Sequence, residues 1–177
     1  MFDVLIKNRY AAMNVDAYNR TAVATEDVPN GGVFTLDKYK TGEDMVWEAK
    51  KPTEATAMGV WMASSPEIVI TELPDGTRLK GIDHNVRNFV NLEGEMIDAF
   101  KPVAGDVLTI VPAEEGTFAS QNFLGIDVNQ FKLKTLASAP EGGGFYMEKI
   151  ETTTMNIGDG SFVKKSVPAY KYVVRAN

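Results

Sequence analysis

Where hydrophobic and polar positions along the chain keep any period, they keep a period of two. Phe131 and Leu133 alternate with Lys132 and Lys134, and Tyr170, Tyr172 and Val174 alternate with Lys171 and Arg175, although Val173 interrupts the second pattern. Alternate side chains share a face only in a strand, so these segments predict half-buried strands. No segment sustains an apolar stripe at helical spacing. Runs rich in β-branched and aromatic residues predict strands at 32–36, 56–62, 67–72, 107–111, 131–136, 145–153 and 162–174. Between them lie turn signals: Asn30-Gly31-Gly32, Pro74-Asp75-Gly76, Glu93-Gly94, Ala104-Gly105-Asp106, Gly142-Gly143-Gly144 and Gly158-Asp159-Gly160.

Two hairpins follow from this punctuation. In the first, residues 67–73 and 77–82 flank Pro74-Asp75-Gly76. There proline presets φ, aspartate can bond its own backbone and glycine supplies a positive φ. In the second, residues 152–157 meet 161–165 across Gly158-Asp159-Gly160. Residues 82–100 carry mixed signals and read as irregular. The first 25 residues keep neither period; Asn8, Asn14 and Asn19 are interspersed with Arg9, Arg20, Tyr10 and Tyr18. They read as an extended N-terminal arm, residues 1–25, ahead of a single β-rich domain, residues 26–177. The expected fold is predominantly β, a compact antiparallel β-barrel or β-sandwich of roughly eight strands.

Composition agrees with one globular unit: 177 residues, 44% hydrophobic and 24% charged, ample for a core without staples. Eighteen basic against 24 acidic side chains give a formal charge of -6, which argues against binding nucleic acid by bulk charge. The predicted arm runs the other way, with Lys7, Arg9 and Arg20 against Asp3 and Asp16 in residues 1–24. A basic arm on an acidic body would settle on an acidic neighbour. The start of the chain has neither the basic nor the long apolar region of a signal peptide. The longest mostly apolar runs, 57–63 and 107–113, fall far short of the ~20 residues of a membrane-spanning helix. Neither membrane nor nucleic acid is expected as a partner.

The chemistry-bearing residues give little purchase. Cysteine is absent and His84 is the lone histidine, which excludes thiol nucleophiles, disulfides and cysteine- or histidine-rich metal sites. There is no Gly-x-Ser-x-Gly elbow for a hydrolytic triad, and His84 reads as an ordinary loop residue. Asn156–Ser161 lacks the alternating carboxylates and terminal glutamate of a calcium loop. Gly142-Gly143-Gly144 leads into Phe145-Tyr146-Met147, a strand pattern rather than the helix start a phosphate cradle needs. Acid pairs such as Glu114 with Glu115 or Glu93 with Glu95 read as solvated surface. Trp47, Trp61, Tyr39 and Phe123 could line a sugar or peptide groove, though such side chains more often fill cores and interfaces. No catalytic residue, metal ligand or cofactor is expected.

The runs Leu5–Asn14, Ala17–Thr21, Asn30–Leu36 and Phe100–Thr109, with Glu151–Thr154 and Ala169–Val174 further on, carry a resemblance that covers most of the chain in order. In these runs the sequence resembles small proteins found among the head genes of tailed bacteriophages, the capsid decoration or cement proteins. The resemblance implies a non-enzymatic structural protein on the outer surface of the virion capsid, made in the cytoplasm of the bacterial host. It would bind the major capsid protein at junctions between subunits, self-associate as trimers or symmetric clusters, and stabilise the shell. On this reading Asn8, Arg9, Tyr10, Tyr18, Asn19 and Arg20 form the capsid contact. Shallow contacts repeated by symmetry would hold it through effective concentration. Two other classes suit the same β-rich sequence: a phage tail or baseplate component, and a carbohydrate-binding host-adhesion module.

Overall fold

The computed structural model describes residues 1–81, 83, 85–158 and 164–177. Thirteen strands are described: β1 (Val4–Arg9), β2 (Asn19–Val23), β3 (Val33–Tyr39), β4 (Val46–Lys50), β5 (Trp61–Ala63), β6 (Val69–Glu72), β7 (Arg78–Gly81), β8 (Met96–Phe100), β9 (Val107–Val111), β10 (Phe123–Ile126), β11 (Leu133–Leu136), β12 (Tyr146–Gly158) and β13 (Lys164–Ala176). The only described helical pieces are three single 3-10 turns at Ala11–Met13, Asp16–Tyr18 and Val86–Asn88. The chain is therefore predominantly β. No described helix is long and apolar enough to cross a membrane.

The strands make a closed barrel packed against an open sheet, so a barrel forms as one of the two expected alternatives, but from five of thirteen described strands where roughly eight in all were expected. The barrel runs β2-β4-β3-β5-β8 and back to β2, and the sheet runs β1-β9-β13-β12-β10-β11. All pairings are antiparallel except β2 with β4, where Thr21, Ala22 and Val23 run parallel to Val46, Trp47 and Glu48.

Five strands enclose a narrower space than the eight that just fit packed side chains. The inner wall is correspondingly built from small residues: Ala22, Ala49, Ala63 and Ala99 are buried there with Phe34 and Ile97. Phe131 joins this cluster, its ring edge-on to Phe34 at 6.4 Å. Between barrel and sheet lies a second core. Leu5, Leu108, Ile110, Leu124, Met147, Tyr170 and Tyr172 come from the sheet; Val33, Met62 and Phe100 come from the barrel. The opposite face of the sheet buries Val4, Val111, Ile157, Val167 and Ala169.

The Pro74-Asp75-Gly76 hairpin forms as the turn chemistry demands. β6 and β7 pair antiparallel, Gly76 has φ +81°, and the Thr77 N–H donates to Asp75 Oδ1 at 2.9 Å. That bond holds the Asp75 carboxyl below its usual range. The second hairpin pairs β12 with β13 from Tyr146 and Ala176 out to Gly158 and Lys164. Its turn, residues 159–163, lies outside the described residues, as does His84.

Residues 1–25 are not an extended arm. β1 pairs with β9 at the edge of the open sheet, and β2 closes the barrel between β4 and β8. The link between them is fastened by a buried carboxylate: Asp106 Oδ1 accepts from the Ala11 N–H and Oδ2 from the Val103 N–H, both at 2.8 Å. Leu5 and Ala12 are buried in the core between barrel and sheet, with Tyr10 and Tyr18 packed against it. Apolar burial and ladder hydrogen bonds outweigh the freedom an arm would keep. The strand expected over 56–62 is also shorter than its composition suggests. Only Trp61 and Met62 of that run enter β5, because Gly59 turns with φ +69° and the Thr56 backbone lies against Gly144.

Candidate functional site

Beside the free edge of β1 opens a groove of about 830 Å³, bounded by the turn after Asp16, by β8 and by Ser64–Glu67. Its frame is stiff. Asn30, 6% exposed, reads the Ser65 backbone in both directions: its Nδ2 donates to the Ser65 carbonyl at 2.9 Å and its Oδ1 accepts from the Ser65 N–H at 3.0 Å. Asn91 Nδ2 donates to the Val28 carbonyl at 2.8 Å and to Asn30 Oδ1 at 3.2 Å. Ser65 Oγ in turn accepts from the Asp98 N–H at 3.0 Å. A buried polar network with its members paired fixes one arrangement of the walls.

Of the six residues expected at a capsid contact, the structure brings Tyr10, Asn19 and Arg20 together in this groove and leaves Asn8, Arg9 and Tyr18 outside it. Asn8 and Arg9 are exposed on β1, Asn8 in the bulge between Lys7 and Arg9 and Arg9 just past it. Asn8 Oδ1 accepts from Thr109 Oγ1 at 2.6 Å, so this asparagine ties two strands as well as facing solvent. Tyr18 is half-buried against the core, and its carbonyl accepts from the Lys101 N–H at 2.8 Å. Asn19 Nδ2 donates to the Ala12 carbonyl at 2.8 Å, closing the loop between the two 3-10 turns. Tyr10 meets Phe100, with ring centroids 5.4 Å apart.

The groove also holds Glu67 and Asp98, which the sequence pattern did not single out, together with Lys7, Asp16 and Arg20. Lys7 Nζ lies 5.3 Å from the centre of the Tyr10 ring, and the Arg20 guanidinium 5.6 Å from that of Trp61. Both cations therefore rest on aromatic faces. Asp16, Glu67 and Asp98 line the same groove, and no cation stands within 4 Å of any of them among the described residues. Burial pushes the Glu67 carboxyl up from its ordinary range, and the Lys7 charge offsets part of the rise. Met45 stands at the rim with φ +61°, a left-handed conformation costly for a side chain other than glycine. No three acidic or histidine side chains among the described residues are grouped to hold a metal ion.

A second groove, of about 580 Å³, lies on the other face of β1 and is more apolar, with Val4, Ile6, Val86, Met155 and Ile157 in its walls. The two grooves share Leu5, Lys7, Tyr10 and Glu67, so they meet along one strand. The aromatics considered for sugar binding are not gathered. Tyr39 and Trp47 pair across β3 and β4, with centroids 4.3 Å apart. Trp61 lies under Arg20, and Phe123 sits beside Tyr146 in the open sheet. None of the four lines either groove. No protein-family model, curated protein or solved structure matches the chain.

Proposed function

We propose that the chain is a non-enzymatic structural protein of a tailed-phage virion. It binds the outer surface of the capsid at junctions between major capsid subunits and stabilises the shell. The observation that carries this reading is the face at the start of the chain: Asn8 and Arg9 exposed on β1, with Tyr10, Asn19 and Arg20 in the adjoining groove. A polar, solvent-facing surface on a hydrogen-bonded β scaffold suits a docking contact, and the run-by-run resemblance to decoration proteins falls on the same residues. The scaffold presents the contact already ordered, so little conformational entropy is lost on binding. Self-association as trimers or symmetric clusters would then multiply a modest contact into lasting retention.

Co-sedimentation of the full chain with undecorated tailed-phage capsids tests the proposal. The expected result is saturable, stoichiometric binding that weakens at least tenfold when Arg9→Glu and Arg20→Glu are combined. Full occupancy by that folded variant would remove these residues from the contact. No binding by the unaltered folded protein would overturn the capsid assignment.

A further inference from the structure

The sheet ends at β1, whose outer edge has no strand partner among the described residues. An unpaired strand edge presents a row of backbone donors and acceptors, a template for another extended chain. Here the edge opens onto two grooves rather than a flat surface, one on each face of the strand. Side chains of a strand laid along β1 would alternate between them. On the Val4 and Ile6 side they would meet a wall that includes Val86, Met155 and Ile157, with Asp83 and Asn156 also in the lining. On the Leu5 and Lys7 side they would enter the charged groove.

Charge decides what that second row must carry. The two cations of the groove lie on aromatic rings, whereas Asp16, Glu67 and Asp98 have no cation within 4 Å among the described residues. The chain as a whole is acidic, at -6. A second copy of this strand running parallel in register is a poor occupant, because it would set Lys7 and Arg9 against their like. The bulge between Lys7 and Arg9 also breaks the regular ladder that indiscriminate pairing needs.

We propose that the free edge of β1 accepts an extended segment of a partner protein that alternates apolar residues with polar ones, one of them a lysine or arginine directed among Asp16, Glu67 and Asp98. This deepens the capsid reading by naming the part of the partner that is grasped, and it rests on that reading only for the partner's identity. The raised Glu67 carboxyl fits such an occupant, since an incoming cation would compensate the burial that raises it.

The test uses the full chain and two synthetic probes, the blocked peptides TVTVRVT and TVTVEVT, followed by NMR amide exchange and titration. The arginine peptide should bind at least fivefold more tightly than the glutamate one. It should slow exchange at alternate amides of Val4–Arg9 while those already bonded to β9 stay unchanged. Replacing Glu67→Gln and Asp98→Asn together should erase the difference between the peptides. Equal binding of both peptides, or β1 amides that stay unprotected, overturns the proposal. So does a protein whose β1 amides are already protected in a self-paired dimer. Capsid binding without β1 protection would sink this inference and leave the capsid reading standing. Peptide binding without capsid binding would do the reverse.

Discussion

Tyr170 and Tyr172 stand two residues apart on one face of β13, each at most 1% exposed, and their hydroxyls meet different surroundings. The Tyr170 hydroxyl donates to Glu115 Oε1 at 2.9 Å, while the Tyr172 hydroxyl is buried without a hydrogen-bond partner among the described residues. Burial is the main cause that pushes both phenols up, Tyr170 to about 12 and Tyr172 further. A satisfied hydroxyl contributes about 1 kcal/mol, and an orphaned one costs about as much or more. Tyr170→Phe should therefore lower unfolding free energy by about 1 kcal/mol. Tyr172→Phe should leave it unchanged or raise it by about 1 kcal/mol, with urea unfolding as the measurement. The alternation of Tyr170, Tyr172 and Val174 with charged residues announces that these rings point inward. Nothing in the sequence announces Glu115 as a partner, because fold topology alone brings together residues 55 positions apart.

Glu67 gives a second expectation at this scale. Its folded-state pKa is raised by burial, so folding favours the neutral carboxyl. The penalty is absent below the unfolded value, about 4.3, and is incurred as pH rises through it. Glu67→Gln should raise the thermal midpoint at pH 7, and the gain should vanish as the pH falls below about 4. Lys7→Gln should move the Glu67 titration still higher, since the Lys7 charge now lowers it; side-chain NMR reads that shift directly.

At the scale of elements, turn chemistry was the most legible signal and alanine the least. The Pro74-Asp75-Gly76 hairpin and the cores of β9, β11, β12 and β13 follow from glycine, proline and two-residue alternation. β8 was hidden in a stretch that reads as irregular, although Ile97 and Ala99 alternate with Met96 and Asp98. Its inward positions are fitted to a five-stranded barrel, and a narrow interior selects alanine, which carries little strand signal. The asparagines near the start of the chain misled for a related reason. Asn8 and Asn19 bond to Thr109 and Ala12, so residues that resemble a polar arm are internal ties. For the candidate site, Tyr10, Asn19 and Arg20 were legible, whereas Glu67 and Asp98 join them only through the barrel's closure. Removing residues 1–25 should therefore unfold the protein instead of freeing a trimmed domain, because it deletes β2 from a closed barrel and β1 from the sheet. Circular dichroism and proton NMR of the truncated chain would show loss of strand signal and of dispersed methyl resonances. A trimmed chain with native dispersion would restore the arm.

At the scale of the whole molecule, the barrel and the open sheet depend on each other through one core. Phe100 belongs to β8 in the barrel, yet it packs with Leu108, Tyr170 and Tyr172 of the sheet. Perturbing either layer should therefore be felt in both. Small single domains usually unfold as one cooperative unit, and a core shared by both layers gives this longer chain the same expectation. The β1 edge and its charged groove sit at the junction of the two layers, bounded by β1 of the sheet and by β2 and β8 of the barrel.

The place of β13 in the sheet order has a consequence for how the protein is made. It lies between β9 and β12 and is the seam joining β1 and β9 to β12, β10 and β11, yet it follows every other described strand in the chain. A ribosome working from the first codon delivers twelve strands before the one that unites them. Until residues 164–176 clear the exit tunnel, Leu108 and Met147 have no Tyr172 to cover them. A nascent chain stalled earlier would expose that apolar surface to chaperones and proteases. A chain truncated before β13 should accordingly lack a folded sheet and be digested readily, which limited proteolysis would show.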